Sequence, residues 1–145
     1  MGLDAVVYRN RNNLPFDPER VGACLDPRTG EYYFQDSTPE RRFSEDALVA
    51  LDKHLGNVNA IESLSQAVER SLGRRDSILQ EKVLFSGTHA GDVIEPVDFD
   101  QLSTEIAEVR RSLIVNQMPE LAEFIQSMED LLKAAAKEEN PIVFR

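Results

Sequence analysis

Lys82-Val-Leu-Phe-Ser-Gly-Thr-His-Ala-Gly-Asp92 is the stretch on which the fold is read. The segment that leads into it, Ser77-Ile-Leu-Gln-Glu-Lys-Val-Leu-Phe85, ends in an apolar run and reads as a strand. Ser86-Gly-Thr-His-Ala-Gly-Asp92 reads as the loop that closes it, with Gly87 and Gly91 suited to turns of positive φ. A strand at this point separates two pairs of helical segments. The order becomes strand, hairpin, two helices, strand, loop, two helices, short strand. That order lacks βαβ alternation, so the fold class is α+β: a mainly antiparallel sheet with about four helices packed on it. No linker-like shift in composition interrupts residues 1–145, which reads as one domain.

Toward the N-terminus, Asn59 and Glu62 have capping-box spacing. Ile61, Leu64, Val68 and Leu72 mark one face of a helix that Gly73 ends. Before it, Ser44 is placed to cap a helix whose face carries Leu48, Leu51 and Leu55, with Gly56 as its stop. Thr38-Pro-Glu-Arg-Arg42 is polar connection. Val21–Leu25 and Glu31–Phe34 flank Asp26-Pro-Arg-Thr-Gly30, a hairpin signal in which Gly30 supplies a positive φ. Leu3-Asp-Ala-Val-Val-Tyr8 is the first strand.

Toward the C-terminus, Val93-Ile94 is short and apolar, and Asp98 with Gln101 opens the next helix. Phe99, Leu102, Ile106, Val109 and Leu113 form its apolar stripe, with Asp100, Glu105 and Glu108 placed toward solvent. Pro119 suits the first position of a last helix marked by Leu121, Phe124, Ile125, Met128, Leu131, Leu132 and Ala135. Pro141 stops it, and Ile142-Val-Phe144 is a short final strand.

Composition narrows the function. The chain has 145 residues, 41% hydrophobic and 29% charged, which is a folded rather than a disordered balance. No apolar run approaches the roughly 18 residues of a membrane span, and no secretory signal is evident, so a cytoplasmic location is expected. The single cysteine, Cys24, fits a reducing compartment and reads as a small apolar filler. Net charge is −10, which opposes nucleic acid and anionic membranes and favours a basic protein partner. The acidity is uneven: residues 95–140 hold 11 acids and 4 bases.

The 86–92 loop carries the densest chemistry. Ser86, Gly87 and Thr88 are placed to present backbone N–H groups and hydroxyls to an anion. His89 is a candidate general base, oriented by Asp92. Against a hydrolase, Leu84 and Thr88 stand where a nucleophile elbow around Ser86 needs glycines. No Walker pattern occurs. His54 and His89 lack partners at metal-ligand spacing, so no metal and no cofactor is expected. A shaped turn, a partner- or ligand-binding loop and a catalytic loop therefore remain open. The preferred binding surface joins Ser86, Gly87, Thr88, His89 and Asp92 to Glu105 and Glu108 of the acidic helices. A small hydrolase or anion-binding protein is the alternative, and a self-associating homodimer a third.

Met1-Gly-Leu-Asp4, the Ser86–Asp92 loop and Asn140-Pro-Ile-Val-Phe144, in a small acidic chain, resemble the small cytoplasmic immunity proteins of bacterial polymorphic-toxin systems. The resemblance implies a non-enzymatic inhibitor that binds a toxin domain and blocks its active site.

Overall fold

The computed structural model describes residues 2–36 and 42–145; residues 38–41 of the expected polar connection lie outside the described residues. The first strand, β1 (Gly2–Tyr8), alternates faces: Leu3, Ala5 and Val7 point one way, Val6 and Tyr8 the other. All five side chains are buried, so both faces of the sheet are covered. Five further strands follow: β2 (Cys24–Leu25), β3 (Tyr32–Tyr33), β4 (Val49–Asn57), β5 (Val93–Ile94) and β6 (Ile142–Phe144). The main sheet has the order β4-β1-β6-β5, and every neighbouring pair is antiparallel. The α+β reading with an antiparallel sheet holds.

The helices are α1 (Pro18–Val21), α2 (Glu45–Leu48), α3 (Val58–Leu72), α4 (Phe99–Arg111), α5 (Leu113–Gln117) and α6 (Pro119–Glu138). α6 lies against β1, β4 and β6, and α4 lies against α6. Phe124, Ile125, Met128 and Leu131 of α6 join Leu102, Ile106 and Val109 of α4 and Leu64 and Val68 of α3 in one core. The opposite face of the sheet, with Val6, Tyr8 and Val143, is covered by Leu14, Phe16, Tyr32 and Phe43. There Phe43 stacks between Phe16 and Phe34, with ring centroids 4.4 and 4.2 Å apart. No helix among the described residues is long and apolar enough to cross a membrane.

The hairpin forms, but as a separate two-stranded sheet, Cys24 opposite Tyr33 and Leu25 opposite Tyr32. Val21 belongs to α1 rather than to its strand. Gly30 has φ +81, as expected, and a second reason to be glycine: a Cβ there would overlap the Asn140 amide. That amide donates to the Tyr8 carbonyl at 2.8 Å.

Four expectations are corrected. The helix expected across Leu48, Leu51 and Leu55 stops at Leu48, and Val49–Asn57 is the longest strand in the sheet. Leu51 and Leu55 are four residues apart, an even step that suits a strand as well as a helix, and pairing with β1 decides between them. α3 is capped by Asn57, whose Oδ1 accepts from the Ala60 N–H at 3.0 Å, not by Asn59. The segment 77–85 is a helical turn of the wide, π type (Leu79–Val83) and not a strand. The Leu84 N–H donates to the Leu79 carbonyl at 2.8 Å, the five-residue hydrogen bond of a π turn. The α4 stripe also ends before Leu113: the helix breaks at Ser112, leaving Leu113 77% exposed.

Candidate functional site

The π-type turn positions the 86–92 loop, and a buried carboxylate holds the turn. Glu105 is 0% exposed. Its Oε2 accepts from the Ile78 N–H and its Oε1 from the Leu79 N–H, both at 3.0 Å. Gln101 Nε2 donates to the same Oε2 at 3.0 Å instead of capping its own helix. The carboxylate thus satisfies successive backbone donors at the start of a helical turn, where negative charge is favoured. Ser77 and Gln80 finish the fixing: Ser77 Oγ accepts from the Gln80 N–H at 3.1 Å, and Gln80 Nε2 donates to the Ser65 carbonyl of α3 at 3.2 Å.

The loop then runs back to the sheet. The Gly91 N–H donates to the Phe144 carbonyl at 2.8 Å, and the Phe144 N–H to the Asp92 carbonyl at 2.9 Å. Gly87 and Gly91 both have positive φ, 144° and 88°. His89 turns inward and is 8% exposed. Its ring lies against Phe85 with centroids 3.9 Å apart and 6.1 Å from Phe144. Among the described residues its buried Nε2 has no hydrogen-bond partner.

The seven candidate residues do not converge. Ser86 and Gly87 are exposed and line a cavity of about 560 Å³ with Val58, Ile61, Glu62 and Phe85. Thr88 is exposed, Asp92 is half-buried, and neither lines that cavity. Among the described residues no hydrogen bond links Ser86 to His89. Glu105 does not face solvent, because its charge is committed to the turn. Glu108 is half-buried and accepts from Arg74 Nη1 at 3.2 Å. Glu138, one of the acids of residues 95–140, is also buried, and its Oε2 accepts from the Asn10 N–H and Asn13 Nδ2, both at 2.8 Å.

A different surface has a shaped, charged wall. Between the sheet edge at β4 and helix α6 lies a groove of about 450 Å³. Lys53 to Asn57 form one side, with Glu120, Glu123 and Asp130 on the other. Its basic side chains are already engaged: Lys53 Nζ is 3.4 Å from Asp130, and His54 Nδ1 is 2.7 Å from Asp4. The Gln126 amide, with lesser help from Lys53, holds the Asp130 carboxyl below its ordinary pKa. Glu120 and Glu123 are exposed and have no ion-pair partner among the described residues. In the sequence these glutamates are legible only as members of an acidic helix, because Leu51 and Leu55, on the strand that makes the groove, also fit helical spacing with Leu48.

Among the described residues no group of His, Cys, Asp and Glu is arranged to hold a metal ion. Compared with known proteins, the chain matches no family model, no curated protein and no solved structure.

Proposed function

We propose that the chain is a protein-binding module for a basic protein, on the pattern of an immunity protein that occupies a toxin domain. The observation that carries this reading is the β4–α6 groove, whose Glu120 and Glu123 have no ion-pair partner among the described residues. Complementary charge speeds encounter with a basic surface and disfavours acidic competitors. The exposed Ser86–Thr88 tip of the loop is a second contact on the same reading. The test uses the protein encoded beside this chain's gene. Association is expected to weaken about tenfold or more between roughly 50 and 300 mM salt, and again when Glu120→Lys and Glu123→Lys are combined. No association at low salt, or association indifferent to the charge reversal, overturns the proposal.

A second reading, a small-ligand binder, is favoured by the cavity beside Ser86 and Gly87, which is within the roughly 300–1,000 Å³ of known ligand pockets. Here a fragment soak that leaves the Val58, Ile61 and Phe85 side chains unperturbed removes it.

A further inference from the structure

Among the described residues β4 has β1 on one side and no strand on the other. It is nine residues long, in a sheet whose opposite edge, β5, has only two. An edge of this kind offers a row of backbone donors and acceptors to another chain. Its register is regular where Leu51, Asp52, Lys53 and His54 face Val7, Val6, Ala5 and Asp4. Irregularities bracket that run, between Leu3 and Asp4 and between Val7 and Tyr8. The bracketing limits the length over which a further strand can pair, and blunts the rest of the edge.

The acid-walled groove starts on this same run. Lys53 and His54 belong both to the regular ladder and to the groove, and Glu120, Glu123 and Asp130 face them from α6. We infer that β4 accepts an extended basic segment of a protein partner as an additional antiparallel or parallel strand. Successive side chains of a strand point to opposite faces. A segment with lysine or arginine at every second position would therefore direct its cations toward the α6 carboxylates, while its backbone pairs with β4. Backbone pairing supplies affinity and the alternate side chains supply specificity, as in other strand additions. A second copy of the chain fits this edge poorly, because pairing two β4 strands would set two acid-walled grooves side by side. The inference rests on the reading of the groove as a partner site, and it adds the mode of recognition.

The test takes a peptide of about eight residues alternating lysine and valine, and the same peptide with every second backbone nitrogen methylated. Methylation keeps the charge and removes the donors of one edge. Amide NMR of the full chain at low salt is expected to show shifts and slowed exchange at Leu51–His54 with the unmodified peptide. The better-placed of the two methylation registers is expected to weaken binding about tenfold, and Glu120→Gln with Glu123→Gln to weaken binding of the unmodified peptide. Equal binding of methylated and unmodified peptides overturns strand addition and leaves the charged groove standing. No binding by either overturns both. Self-association through β4 without peptide overturns the choice of occupant.

Discussion

Glu105 shows how little the charge of a residue says about its place. It is three residues after Leu102 and four before Val109, both buried, so helical spacing puts it on the core face of α4. That spacing is legible in the sequence; the pair of N–H groups waiting for it is not, because Ile78 and Leu79 read as strand residues with partners of their own. Glu138 repeats the case, three residues after the buried Ala135. Glu105→Ala would strand two buried backbone donors and is expected to lower stability by about 3 kcal/mol, read from urea unfolding. Glu105→Gln keeps one acceptor and should cost less. An unchanged midpoint in both variants would mean that water replaces the carboxylate and that the turn does not depend on it.

At the scale of elements, periodicity identified most segments and mistook two. α3, α4 and α6 carry stripes that continue over several turns, and the structure has all three. Leu51 and Leu55 gave a step common to both periods, and only β1 pairing resolves it. The 77–85 segment forms a π-type turn that neither template describes. β6 is short in sequence but central in space, lying between β1 and β5. Ile142, Val143 and Phe144 are all buried, and the Phe144 backbone also holds the 86–92 loop. Deleting Ile142–Arg145 is accordingly expected to abolish cooperative unfolding, with a broad, featureless urea curve in place of a single transition. A retained sharp transition would show that β1 and β4 suffice as a sheet against the helices.

Across the whole molecule, an ionic cluster ties the second face together. Tyr8 of β1 hydrogen-bonds Glu31 beside the hairpin, and Arg145 bridges Glu45 of α2 and Asp52 of β4. Burial, reinforced by Asp26, pushes the Glu31 carboxyl above its ordinary pKa despite Arg145 and the Tyr8 hydroxyl. The Tyr8 hydroxyl is also raised, first by burial and then by Glu31. A carboxyl that holds its proton more tightly when folded contributes stability below its unfolded pKa, and that contribution is lost as pH rises through the folded value. Ionised Glu31 therefore costs stability at neutral pH. Glu31→Gln is expected to unfold at a higher temperature than the parent near pH 7, with the gap closing below about pH 4. A gap that widens toward acid pH would reverse the assignment.

The place of β6 also orders events in time. During synthesis β1 is complete after eight residues, yet the strand that separates it from β5 is made more than a hundred residues later. β1 and β4 can meet as soon as residue 57 has emerged, but the sheet closes only when residue 144 arrives. Until then one side of β1 stays open, and the 86–92 loop lacks its anchor. Contacts of such long sequence separation slow folding, and an unfilled strand position invites pairing with a neighbouring nascent chain. Stalling translation before and after residue 144 would therefore separate a protease-sensitive species from a resistant one.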